Sequence, residues 1–442
     1  MPLKTQTFMI RDAYQFLLNW KNQAGRKPLI IQGARQVGKT WLMKEFGRKE
    51  YPRTAYFNFE STKELSAIFK QGYNTQQIVV ALNVLAGFKI QPQETLIIFD
   101  EIQACPEAIT ALKYFQEEHP EYSIFAAGSL LGVAIHQGVS FPVGKVDFLT
   151  LHPLSYHEFL NAIGKADLLT VLQNNDATMT EIFRTQFIQL LKQYYFLGGM
   201  PEVVQSFVAH QDYARARIIQ EAILNAYEND FSKHAPITLL PRIRMVWQSI
   251  VGQLAKENSK FMYNVLRSGA RAKDFELAIE WLKDAGLIHK VTRIKKVGFP
   301  INAYADWSDF KMYLHDVGLL CAKGGLTPEI LLQENELFTE FKGTITEQFI
   351  LQQLVTRSQQ AFYWSPDMAL SEVDFVIQKD NLIIPIEVKA AENLKSRSLR
   401  VYFDKYKPAV CIRTSLSGYQ KQEWMQNIPL YGFQQWLNHP AL

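Results

Sequence analysis

Cysteine is scarce in this chain, and what there is stands apart. Cys105, Cys321 and Cys411 share no short spacing, which excludes a thiolate metal site and a disulfide framework and points to a reducing compartment. No uninterrupted apolar stretch approaches the length of a bilayer span, and the opening "MPLKTQTFMIRDAYQF" has no apolar signal core. No membrane partner is therefore expected, and the cytoplasm is the expected location. An excess of charge is missing too: 47 Lys and Arg against 43 Asp and Glu leave +4, too little to name a polyanionic partner from the total alone. There is no internal repeat, low-complexity tract or long flexible linker. What remains is an ordinary globular composition, 48% hydrophobic and 20% charged, over a length of 442 residues that calls for two to four domains.

The strongest positive signal is "LIIQGARQVGKTWLM". Gly33-Ala34-Arg35-Gln36-Val37-Gly38-Lys39-Thr40 has the Walker A spacing, between an apolar strand pattern and a helix pattern. Glycines let backbone N–H groups curl around a phosphate chain, Lys39 would reach the β- and γ-phosphates, and the Thr40 hydroxyl would ligate Mg²⁺. A P-loop needs a second acidic element, and "TLIIFDE" supplies it at the end of an apolar run. Asp100 would hold the Mg²⁺ shell and Glu101 would orient or deprotonate the attacking water. Two further runs, "TAYFNFE" and "YSIFAAGS", complete a parallel α/β pattern. The last ends at Ser129, which either senses the γ-phosphate or simply turns the chain. No Asn-Lys-x-Asp follows, so ATP is expected rather than GTP.

The stretches "GARQVGKTWL", "YFNFE", "LIIFDEIQ", "AAGSLLG" and "LHPLSYHEFL" together resemble the bacterial and archaeal AAA+-type ATPases whose C-terminal half is the domain of unknown function DUF4143. "YYFLGGMPEVV", "WLKDAGLIHKV", "KMYLHDVGLL", "SEVDFVI" and "IPIEVKAAENLKSRSL" resemble that C-terminal half. The resemblance implies an α/β fold: a parallel-sheet, AAA+-like P-loop NTPase domain over 1–160, then a helical connector over 161–235. A winged-helix-like segment over 236–305 and a nuclease-like α/β domain over 306–442 would follow. It implies ATP and Mg²⁺ as cofactors and is compatible with a homo-oligomer. Relatives usually carry arginine where Lys145 stands, and lysine lacks the planar fork, so no arginine finger is assigned.

Charge is unevenly spread. Residues 242–296 hold twelve Lys or Arg and five Asp or Glu, in the order helix, short helix, helix, β-ribbon expected of a winged helix. DNA or RNA is the partner this basic stretch suggests, through phosphate contacts from residues such as Arg293, Lys295 and Lys296. Against that, Asp274, Glu276, Glu280 and Asp284 put negative charge on the helix that would read a groove.

The last motif lies in the C-terminal half. Helical periodicity puts Glu347 in the middle of an apolar face with Ile350, Leu351 and Leu354, where a carboxylate costs several kcal/mol unless paired or metal-bound. Strand alternation puts Asp374 on one face of "SEVDFVI", and Glu387 with Lys389 on one face of "LIIPIEVK". Helix Glu, strand Asp, then Glu-x-Lys is the order of a PD-(D/E)xK nuclease core, with Glu347, Asp374, Glu387 and Lys389 as a second candidate metal site. The alternative is a strand pair with ordinary exposed charges on a fold that does not cleave.

Overall fold

The computed structural model describes residues 9–128, 142–256, 259–332, 339–367, 371–392 and 396–440. They form two compact units: Ile10–His152 with Asp284–Leu287, and Pro153–Lys283 with Ile288–Leu442.

In the first unit the four apolar runs become β1 (Leu29–Gln32), β2 (Arg53–Asn58), β3 (Thr95–Asp100) and β4 (Ser123–Ala127), joined by a short β5 (Asp147–Thr150). The sheet order is β2-β3-β4-β1-β5 with every pairing parallel. All six residues of β3 are buried, as they must be when helices cover both faces of a parallel sheet. On one face Phe57, Phe59, Phe69 and Phe99 pack with Leu112 and Phe115 of the helix Pro106–Glu118. β5 escaped the search for apolar runs because it is short and alternates between half-buried and exposed positions. Parallel strands point their C-terminal ends the same way, so the loop after β1 and the acidic pair ending β3 share one edge of the sheet.

The second unit begins with helices, among them Arg184–Leu197, Pro201–His210 and Tyr213–His234. Three more, Leu240–Leu254, Tyr263–Leu266 and Ala272–Asp284, precede the hairpin β6 (Ile288–Ile294) and β7 (Ala305–Leu314). This is the element order expected of a winged helix, but the ribbon is not a free wing. β6 pairs in parallel with β8 (Ala361–Trp364). β8 continues through β9 (Val373–Lys379), β10 (Leu382–Val388), β11 (Ile412–Ser415), β13 (Gln426–Pro429) and β12 (Gln420–Lys421). The result is one eight-stranded mixed sheet, ordered β12-β13-β11-β10-β9-β8-β6-β7. The expected boundary between residues 305 and 306 therefore falls inside β7, and ladder hydrogen bonds tie both sides together. Trp364, Val373, Val376 and Ile383 fill the core on one face, capped by Leu399 and Tyr402 of the helix Arg397–Tyr406. The helix Thr339–Thr356 packs against β8 and β10. Among the described residues no helix is long and apolar enough to cross a membrane.

Candidate functional site

The P-loop takes its shape from two glycines. Gly33 has φ +142°, and a Cβ there would lie 2.1 Å from the Leu151 carbonyl oxygen. Gly38 has φ +95° and begins the helix Lys39–Glu50. Only glycine accepts both the close approach and the left-handed backbone. Gln36 also sits at positive φ, +67°. Arg11, a residue no motif pointed to, braces the loop from behind: it donates to the Val37 carbonyl at 2.9 Å and to the His152 carbonyl at 2.6 Å.

Within the loop, Lys39 is 7% exposed, and its ammonium donates to the Gly33 and Ala34 carbonyls, each at 2.8 Å. Burial pulls its pKa down to about 8, opposed by Glu101 and Asp100 and assisted by Arg35. At the foot of the loop the Thr40 hydroxyl donates to Asp100 Oδ2 at 2.8 Å. A second hydroxyl, that of Tyr56 on β2, donates to the same oxygen at 2.8 Å, and the Glu101 N–H donates to Asp100 Oδ1 at 3.1 Å. Lys44 lies over the Tyr56 ring, 3.6 Å from its centroid. Glu101 itself stands at φ +52°, and its Oε2 accepts from Gln103 Nε2 at 2.6 Å. Backbone N–H groups, an ammonium, and a threonine hydroxyl beside a carboxylate form a donor set suited to a triphosphate and a hard divalent cation. Ser129 lies outside the described residues. Lys145 pairs with Glu117 at 3.0 Å.

The C-terminal candidates also come together, around a residue that sequence reasoning missed. Lys311 on β7 is fully buried, with its ammonium 2.6 Å from Glu372 Oε1 and 3.5 Å from Glu347 Oε2. Tyr313, two residues on, donates to Glu347 Oε2 at 2.6 Å. Asp374 Oδ2 accepts the Val388 N–H at 2.6 Å, and Lys389 lies 2.6 Å from Glu387 Oε1. Burial lowers the Lys311 pKa, but Glu347, Tyr313, Glu372 and Asp374 more than offset it and hold the pKa well above the ordinary lysine value. Burial, then the negative charge of Glu347 and Glu387, pushes Asp374 well above the usual carboxylate range. Among the described residues no group of three or more His, Cys, Asp or Glu is placed to hold a metal ion. Of the three carboxylates expected around a cation, Glu347 faces the chain's own Lys311, Glu387 pairs with Lys389 and Asp374 accepts a backbone N–H.

The expected phosphate-binding face is likewise engaged internally. Arg293 donates to the Ser365 carbonyl at 2.9 and 2.7 Å and pairs with Asp309 and Asp367. Lys295 pairs with Asp306 and Asp367, while Lys296 is exposed. Several other motifs meet at a buried polar knot. Asp316 accepts N–H groups from Gly199 at 2.7 Å and Leu319 at 2.9 Å; the Gly199 carbonyl accepts from Leu154 N–H at 2.7 Å; and Gln352 donates to the Tyr194 hydroxyl at 2.9 Å. Burial raises the Asp316 pKa to about 6 in spite of those donors. These motifs are explained by packing.

Residues 25–160 match the AAA domain family, residues 342–433 the domain of unknown function DUF4143, and residues 188–330 a further domain of unknown function, DUF8612. No curated protein matches the chain. Among solved structures, the Walker-type ATPase PABY2304 of Pyrococcus abyssi is 14% identical, with TM-score 0.46 over 72% of this chain and 96% of that one. The Aeropyrum pernix Orc1 protein in complex with DNA is 12% identical, with TM-score 0.25 over 72% of this chain and 91% of that one. Drosophila ORC bound to DNA is 15% identical, with TM-score 0.24 over 71% and 92%.

Proposed function

We propose, for a chain that matches the AAA domain family over residues 25–160 and DUF4143 over residues 342–433, ATP hydrolysis coupled to action on nucleic acid by the C-terminal half. The observation that carries the ATPase reading is the 2.8 Å contact between Thr40 and Asp100, made across sixty residues at the foot of the P-loop. Mg·ATP, when bound, supplies the phosphoanhydride and the Lewis acid. The chain's residues do the rest. Lys39 exchanges two carbonyl partners for phosphate oxygens, a stronger charge-assisted interaction. Thr40 and Asp100 would hold the cation, and Tyr56 holds Asp100 through its hydroxyl. Glu101, released by Gln103, accepts a proton from the attacking water. Glu347, Asp374, Glu387 and Lys389 are the residues through which a nuclease-like half would act.

A second reading makes the protein a nucleotide-controlled switch whose C-terminal half binds without cleaving. The buried Lys311 among those carboxylates favours it. ATP hydrolysis by the full-length chain, measured with and without single- and double-stranded DNA and RNA, separates the two. Turnover that rises several-fold with nucleic acid supports the first; basal turnover indifferent to it leaves the second. Glu101→Gln should keep ATP binding and lower turnover by about 10²–10⁴-fold. Wild-type turnover in that variant would sink the assignment of the base.

A further inference from the structure

We propose that Lys311 takes the place of a divalent cation in the C-terminal carboxylate cluster, so that this half of the molecule needs no metal there. The inference deepens the second reading, a C-terminal half that does not cleave. Its ammonium lies 2.6 Å from Glu372 and 3.5 Å from Glu347, so one positive charge is shared between two carboxylates. The side chain is confined: Lys311 is 1% exposed, in register with Val291 on β6, and its ammonium lies over the Tyr363 ring, 5.3 Å from the centroid. The other carboxylates are engaged as well, Asp374 by a backbone N–H and Glu387 by Lys389. On the far side, buried Arg413 of β11 is in register with Glu387.

A divalent ion would have to approach Glu347, Asp374 and Glu387 to about 2.0–2.6 Å, beside an ammonium that cannot be displaced without breaking its ion pairs to Glu372 and Glu347. Within the cluster, Glu387 Oε2 is buried without a hydrogen-bond partner among the described residues. An entering ion would find one unengaged oxygen, and every further carboxylate ligand would have to be taken from a partner it already has. An ammonium donates three hydrogen bonds and brings its charge on a covalent tether. It can therefore hold two of the carboxylates together permanently, without an ion from solution.

The test is the melting temperature of the full-length chain in nucleotide-free buffer, with chelator or with millimolar Mn²⁺ or Mg²⁺. The wild type should show no metal-dependent rise that Glu387→Gln removes, because no ion enters the cluster. Lys311→Met, which keeps the stem and deletes the charge, should melt several degrees lower in chelator. It should regain part of that loss, saturably, with Mn²⁺. Lys311→Met combined with Glu372→Gln removes one charge of each sign and should recover without metal, which keeps the test open if the single variant does not fold. A wild-type rise in Mn²⁺ that Glu387→Gln abolishes would overturn the proposal, as would a Lys311→Met protein that melts like the wild type. Since the readout is stability, this inference and the response of ATP turnover to nucleic acid fail independently.

Discussion

Two buried lysines, each among carboxylates, face opposite situations. Lys39 in the P-loop touches backbone carbonyls, with Asp100 and Glu101 nearby but not paired to it, and its pKa is depressed to about 8. Lys311 in the C-terminal sheet is ringed by carboxylates, and its pKa is raised. Burial penalises both in the same direction. What differs is whether the chain supplies the counter-charge. The P-loop withholds it, and so is built to receive an anion from outside. The C-terminal cluster supplies it, and is complete in itself. Density of charged residues alone thus marks neither site as functional; the useful question is which charges are left under-matched.

The sharpest way to break this comparison is to delete each ammonium in turn. Lys39→Met should cost ATP affinity about 2–5 kcal/mol, the usual penalty for truncating one partner of a buried charge pair. It should lower ligand-free stability by only about 1–3 kcal/mol, less than Lys311→Met, since carbonyls rather than carboxylates lose a partner. Titration calorimetry with ATP beside thermal melting checks both halves. A Lys39→Met protein as destabilised as Lys311→Met would erase the distinction.

pH sharpens it further. Phosphates beside Lys39 would restore an ordinary lysine pKa, so above the ligand-free value of about 8 binding takes up a proton. ATP affinity should then fall by up to about tenfold per pH unit above that point. Ligand-free stability runs the other way between about 8 and the unperturbed 10.5, because there the unfolded chain binds more protons than the folded one. Lys311 has the opposite sign: its contribution is full below the unfolded lysine value and is lost as pH climbs through its higher folded value. ATP affinity that stays flat above pH 8 would contradict the reading of Lys39.

The smallest effect belongs to Tyr56→Phe. Removing one of two hydroxyls that donate to Asp100 Oδ2 should cost about 0.5–1.5 kcal/mol. That would be read as a few-fold rise in the Mg²⁺ concentration needed for half-maximal turnover, with little change at saturation. An unchanged Mg²⁺ requirement would make Tyr56 a packing residue only.

Most of the P-loop site is legible because its chemistry is contiguous: eight residues set the loop, and one apolar run ends in Asp100-Glu101. Arg11 and Tyr56 were invisible because each reaches the site only through the tertiary fold, with no local pattern to betray it. Lys311 is a different case. It lies in "DFKMYL", the last six residues of β7, all of them buried, so strand alternation gives no inward or outward face from which to judge it. A lysine inside a doubly buried strand was nevertheless a usable signal, for it must find a counter-charge. Glu347 was singled out as needing a partner, and it has Tyr313 and Lys311. The β-ribbon was read correctly as two strands, but its continuation into β8 depends on pairing between segments far apart in sequence, which periodicity cannot register.

That pairing has a consequence for how the chain is made. On the ribosome β6 and β7 emerge together and can close as a hairpin at once, but the outer edge of β6 has no neighbour until β8 follows. Arg293 must wait for the carbonyl of Ser365, 72 residues later, before its guanidinium is satisfied. Through that interval the nascent hairpin offers an open strand edge of the kind that recruits other chains. A nascent chain halted between the hairpin and β8 should therefore be more prone to aggregate than one halted just after β10.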